Sequence, residues 1–257
     1  MKPKANSFVL VWDLETSNLD PRFGFILVAG WKAWRGGKPC PCHDAYRVHR
    51  FSMRDAWSYH ACRCGKQHRL GPTTNDKHIV KRMSDVLMKA DAHVTYNGKR
   101  FDWRWIQRRR WIHGLPLLRT LPHIDLMYTA RSHLGRGYSL KGISMDDPTL
   151  KGLAKSPVTG SQWVKAVAGD ERALRYVEVH CDKDVLVLEH EYERMQSVVW
   201  MHPRLNDDRG KCKFCDGRLI KRGAARTAAV NRPTQYQCVD CKKYQQRVVT
   251  KAEAKGR

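Results

Sequence analysis

Apolar positions first gather at Phe8-Val-Leu-Val-Trp12, a short unbroken run of the kind that forms a buried strand. Phe25–Trp34 predicts a second strand, and the alternation over Ala45–Phe51 a third. Asn75-Asp76 is a capping pair ahead of a helix over Lys77–Ala90, where Ile79, Val80, Met83, Val86 and Leu87 make one apolar stripe. Ala92–Tyr96 reads as a strand closed by the turn signal Asn97-Gly98, and a helix rich in Arg and Trp follows over Phe101–His113. His123–Met127 predicts a fifth, short strand. Helices dominate thereafter, the strongest over Asp170–Met195. Strands followed by strand–helix alternation imply an α/β or α+β sheet covered by helices.

The texture changes after Trp200, where His202-Pro203, Asp207-Asp208 and Gly210 form a linker to a short, basic, cysteine-bearing remainder. The expected division is a main domain over 1–204, with a cysteine-bearing insertion over about 36–70, and a small domain over 205–257. A chain of 257 residues can bury one sizeable core and still carry such an appendage.

Charge narrows the partners. Lys and Arg number 48 against 25 Asp and Glu, a net +23, which points to a phosphate polymer, since each neutralised phosphate releases a condensed counterion. No run approaches the roughly 20 apolar residues of a membrane helix. The basic start Met1–Asn6 leads into an apolar run broken at once by Asp13 and Glu15, so no signal peptide can be read and an intracellular location is expected. Eight of the nine cysteines fall in four close pairs, which suits metal knuckles in a reducing compartment better than disulfides; Cys181 is left over.

The chemistry concentrates in Asp13-Leu14-Glu15-Thr16, at the end of the first strand. Positions i and i+2 of an extended chain share a face, so Asp13 and Glu15 project together. Two adjacent carboxylates repel and lose solvation unless a hard divalent cation sits between them; a strand end shedding charge into water is the plain alternative. Asp102 stands at a strand-to-helix turn, and Asp184 lies in the late helix with His180 one turn before it on the same face. Together these offer four oxygen ligands and a titratable base, the parts needed for two-metal phosphodiester cleavage.

Asp-x-Glu-Thr on the first strand, Asn97-Gly-x-x-Phe-Asp102 at a turn and x-Asp184-Val185 on a helix resemble the three exonuclease motifs of the DEDD superfamily, which includes the proofreading exonucleases of DNA polymerases. The resemblance covers roughly residues 7 to 195, and Tyr138-Ser139-Leu140-Lys141 is similar to a segment between the second and third motifs. It implies a ribonuclease H-like mixed β-sheet flanked by helices. It also implies a 3′–5′ exonuclease acting on single-stranded nucleic acid, DNA favoured over RNA, with a replication or repair protein as a further candidate partner. Asp13, Glu15, Asp102 and Asp184 would hold two Mg²⁺ or Mn²⁺ ions roughly 4 Å apart. The family's base is a Tyr four residues before the last Asp or a His five before it. Here His180 stands at the four-residue spacing, which departs from both patterns, and its near-neutral ordinary pKa suits a general base. Tyr176, eight residues before Asp184, is too distant to substitute.

Other candidates are weaker. Thr16 is a candidate to bond the terminal nucleotide, and Asn97 either does likewise or simply makes the turn. Phe101 and Trp103 either stack on bases or pack in the core, and Asp125 is either a supporting acid or a cap. In the basic helix, phasing sets Trp103, Ile106 and Arg110 towards the sheet. Arg104, Arg108 and Trp111 then fall on a second face, which with Arg100 offers a track for an unpaired strand; a solvated basic helix is the alternative.

Cys212-x-x-Cys215 and Cys238-x-x-Cys241 are four soft ligands in two tight loops, the set for a closed, structural Zn²⁺ site without which so small a domain would hardly fold. Similar ribbons follow similar exonuclease-like domains in some bacteriophage proteins, and that resemblance implies a host-cytoplasmic setting. Cys40, Cys42, Cys62 and Cys64, with His43, His60 and His68 as alternative ligands, form a candidate second Zn²⁺ site or remain free thiols. Two other functions stay open: a structure-selective endonuclease, and a non-catalytic nucleic-acid-binding accessory protein.

Overall fold

The computed structural model describes residues 8–35, 38–39, 47–56, 59–61, 67–69, 74–135, 139–150, 158–196, 198–199, 211–212, 217–224, 234–242 and 244–247. Two compact units emerge, one spanning Phe8–Trp200 and the other formed by Met201–Arg257 with Met1–Ser7. The first begins with the strands β1 (Phe8–Thr16), β2 (Ile26–Arg35), β3 (Lys38–Pro39) and β4 (His49–Ser52), then the paired strands β5 (Tyr59–Ala61) and β6 (Gln67–Arg69). It continues through α1 (Lys77–Lys89), β7 (Ala92–Thr95), α2 (Asp102–Ile112), β8 (His123–Asp125), α3 (Leu126–His133), α4 (Leu140–Asp146), α5 (Gly160–Val167) and α6 (Glu171–Met195). The second contains β9 (Leu219–Ala224), β10 (Thr234–Cys238) and β11 (Tyr244–Arg247), an antiparallel sheet with β10 in the middle.

The large sheet runs β3-β2-β1-β7-β8, with β4 also paired to β2. β1 is antiparallel to β2 and parallel to β7, which is parallel to β8, so the sheet is mixed. β1 is central, and its apolar run is buried on both faces; along its whole length only Asp13 and Glu15 escape full burial. Leu10, Trp12 and Leu14 join Ile79, Met83 and Leu87 of α1 and Val177 of α6 in one core. α6 lies against β1 and β2. This is the expected α/β sheet flanked by helices.

Several local expectations need correction. The third strand starts only at His49, because Arg47 and Val48 precede the pairing with Val28–Trp31. The fifth ends at Asp125, whose side chain accepts from the Met127 amide and opens α3, so Met127 is helical. Asp76 begins α1 without capping it through its side chain. That carboxylate is instead fully buried, accepting from the Ile26 amide, from Arg109 through Nε and Nη2, and facing His113 Nε2 at 2.6 Å. The inner face of α2 is Asp102, Trp105, Ile106 and Arg109; Ile106 stands where expected and Trp103 packs half-buried at its edge, whereas Arg109 rather than Arg110 turns inward. Arg109 turns inward because Asp76 awaits it there.

Candidate active site

β1 delivers Asp13 and Glu15 at the carboxyl end of the central strand, and α6 crosses beside them. His180 Nε2 stands 3.9 Å from Glu15 Oε1 and 4.0 Å from Asp184 Oδ2, so strand and helix meet through these three side chains. A ligand atom from each of Glu15, His180 and Asp184 lies within 4.8 Å of the others, and the same holds for Asp13, Glu15 and Cys181. Glu15 is common to both groups. Asp102 joins from α2 by accepting the Leu14 amide at 3.1 Å, which anchors it to β1 between the two strand acids. Among the described residues, no group of three ligand atoms that close includes Asp102.

Electrostatics mark the same spot. Burial pushes the Asp102 carboxyl up to about 7, partly opposed by its own and the Leu14 amide, while Asp125 adds to the rise. The Cys181 thiol is pushed well above its ordinary value, first by burial and then by the charges of Asp13, Glu15, Asp182 and Asp184. Cys181 thus lies on the floor of the acidic cluster, its Sγ 3.8 Å from the Asp13 carbonyl. Cys181 belongs to none of the close cysteine pairs, and its one local clue is the phase of α6, where 181 and 184 share the buried face. The approach is close because Gly30, paired with Asp13 across β1 and β2, has no side chain: a Cβ there would meet Cys181 Sγ at 2.8 Å.

The weaker candidates take these places in the structure. Thr16 is buried, its hydroxyl donating to the Asn18 carbonyl, and its own carbonyl accepts from Trp163 Nε1. Asn97 sits in the left-handed region at φ +63° and makes the turn, with its amide donating to Asp125. Asp125 also accepts from the Lys99 amide and so clasps the loop that leads to Asp102. Phe101 packs against the core beside Trp105, and Trp103 lies in a ring cluster with His93 and His123. Arg100, Arg104, Arg108 and Trp111 are exposed, whereas Arg110 is tied to the Pro116 carbonyl. Tyr176 faces solvent. Tyr138 lies outside the described residues; Ser139 caps α4 through the Gly142 amide.

In the small unit, thiols of Cys212, Cys238 and Cys241 lie within 4.8 Å of one another, with Cys212 and Cys241 sulfurs 3.6 Å apart. Soft sulfur donors so gathered suit a tetrahedral ion. Gly217 is required beside them, because a Cβ there would lie 2.8 Å from Cys238 Sγ and 2.0 Å from Asp240 Oδ2. Cys215 lies outside the described residues, as do Cys40, Cys42, Cys62, Cys64 and His43. His60 and His68 are backbone partners across β5 and β6.

Comparison with known proteins bears on the fold. Residues 60–196, just over half of the chain, match the family model for the RNase H superfamily. No curated protein matches. Among solved structures, the family B DNA polymerase from the hyperthermophilic archaeon Pyrobaculum calidifontis is similar, with a TM-score of 0.54 and 15% identity. The match covers 74% of this chain and 25% of the polymerase, so the chain corresponds to about a quarter of that protein.

Proposed function

The chain belongs to the RNase H superfamily, and on that premise we propose that it is a metal-dependent 3′–5′ exonuclease of the DEDD type acting on single-stranded nucleic acid, DNA in preference to RNA. The observation that carries this reading is the meeting of Glu15, His180 and Asp184 at 3.9 and 4.0 Å, with Asp13 beside Glu15 and Asp102 anchored between them. Carboxylate oxygens are the donors hard divalent ions prefer, and a cation relieves the mutual repulsion of acids gathered in a partly buried pocket, so the donor set fits Mg²⁺ or Mn²⁺. Asp13, Glu15, Asp102 and Asp184 would hold two such ions, which when bound would supply Lewis acidity for phosphodiester hydrolysis.

His180 has the protein's part in proton transfer. It takes the proton of the water whose oxygen attacks phosphorus as the bond from phosphorus to the 3′ oxygen breaks; that oxygen takes up a proton from solvent, a nucleoside 5′-monophosphate is released and His180 returns its proton to water. Its ring sits between Glu15 and Asp184, at 3.9 and 4.0 Å from their carboxylates. The exposed Arg100, Arg104 and Arg108 supply positive charge for the strand behind the terminal nucleotide. Cys212, Cys215, Cys238 and Cys241 would hold one structural Zn²⁺, and the convergence of three of these thiols supports that assignment. A 5′-labelled oligonucleotide with Mg²⁺ or Mn²⁺ tests the activity: a ladder shortening from the 3′ end is expected and disappears in Asp184→Ala. A single internal product would instead establish an endonuclease.

A further inference from the structure

Two turns beyond Asp184, α6 carries a second concentration of ionisable groups that the nuclease reading leaves unused. Asp147, which follows α4, faces His190 Nε2 at 3.0 Å, and ligand atoms of Asp147, His190 and Glu191 all lie within 4.8 Å of one another. Asp147 and Glu191 are 4% and 1% exposed. Their situations differ. Asp147 Oδ1 accepts from the Thr149 amide and hydroxyl, while Oδ2 faces His190 and Arg194. Burial alone would push the Asp147 carboxyl up; the bonds from Thr149 and His190 and the charge of Arg194 overcome this and hold it down at about 2. Glu191 Oε1, by contrast, is buried with no hydrogen-bond partner, and Arg194 Nη1 at 4.0 Å stays beyond hydrogen-bond reach. Glu191, Asp147 and Arg194 also line an adjoining cavity of about 370 Å³, whose other walls include Leu134, Ile143 and Asp146. Leaving a buried acceptor unsatisfied is unfavourable, so Glu191 Oε1 lacks a donor or cation of its own.

We infer that Asp147, His190 and Glu191 form a further metal site, taking a first-row transition ion such as Zn²⁺ or Mn²⁺ at the mouth of this cavity. Two donors each about 2.1 Å from one ion and at right angles to each other stand about 3 Å apart, which matches the Asp147–His190 separation. An ion placed there satisfies Glu191 Oε1 as its third ligand, and the cavity has room for water to complete the shell. The imidazole favours zinc and the later first-row ions over Mg²⁺ or Ca²⁺, while the two carboxylates also suit Mn²⁺. Arg194 is the group that must yield. Its side chain is 54% exposed, so it can turn outward to water once the ion takes over its contact with the buried Asp147 carboxylate.

The site is independent of the nuclease assignment, and so is its test. The full chain is dialysed against buffered Zn²⁺ or Mn²⁺ and the bound metal per chain is counted by mass spectrometry, in parallel for Glu191→Gln, His190→Gln and Arg194→Gln. The same set is repeated in an Asp184→Ala background. One ion fewer is expected with Glu191→Gln and with His190→Gln, in both backgrounds. Arg194→Gln, which removes the competing cation, is expected to tighten that ion by about tenfold or more. An unchanged count in the two ligand variants overturns the site and leaves an ion-pair network. Should either ligand variant fail to fold, Arg194→Gln decides alone, since an unaltered affinity there overturns the proposal as well.

Discussion

Acid should destabilise the main unit through a histidine outside the acidic cluster. His93 of β7 is fully buried; its Nδ1 accepts from Trp12 Nε1 at 3.0 Å and its ring stacks on His123 at 3.9 Å. Burial, with help from the charge of Lys99, pushes its pKa down to about 3; His123 falls to about 2 through burial, His93 and Lys99. An imidazole whose folded value is depressed contributes stability in full above the unfolded value of about 6.5, and loses it as pH falls towards the folded value. Between about pH 7.5 and about pH 5 the unfolded chain therefore gains a proton that the native His93 refuses, at a cost of about 2 kcal/mol. That size depends only on the unfolded value, because the folded one lies far below pH 5. The measurement is urea unfolding at the two pH values, followed by tryptophan fluorescence. All nine tryptophans lie between positions 12 and 200, so the signal reports the main unit without the cysteine-rich one. His93→Asn keeps an acceptor for Trp12 and removes the titration. Its stability should drop by about 2 kcal/mol less than that of the wild type across the same interval. Equal drops in the two proteins would show that His93 is not held neutral by its surroundings.

Three other substitutions probe the main unit. His180→Gln is expected to lower kcat by about 10²–10⁴-fold with little change in KM, measured in steady state on a short single strand; a change confined to KM would assign it to binding. Asp76→Ala leaves Arg109 buried without its partner and should destabilise the main unit by about 3–5 kcal/mol in the same urea titration, a loss that an exposed ion pair would not produce. Replacing Arg104 and Arg108 together by Ala should flatten the plot of log affinity against log salt by about 1.5 for a single strand, whatever its sequence. An unchanged slope removes α2 from the binding surface.

The parts of the site that could be read in advance are those fixed by short-range geometry. Asp13 and Glu15 are paired by the two-residue period of a strand, and His180 with Asp184 by one helical turn. What resisted reading depends on contacts distant in sequence. The inward face of α2 is hard to read because its Arg and Trp residues give no clean apolar stripe. Arg109 rather than Arg110 faces inward according to where Asp76 stands, 33 residues from Arg109. Cys181 had no local motif at all, and its place beneath Asp13 follows from how α6 docks on the sheet. Asp147 and His190 lie 43 residues apart and meet only because α4 ends against α6.

Gly30 sets the thickness of the layer between sheet and helix at the point where the acids converge. A methyl group at that position would sit 2.8 Å from sulfur, whereas atoms in ordinary contact rest nearer 3.5–4.0 Å. Any side chain here works as a shim about 1 Å thick, prising α6 off β1 and widening the gap from Glu15 to Asp184 while both remain chemically intact. The spacing of the cluster is thus governed from behind, by an atom that is not there.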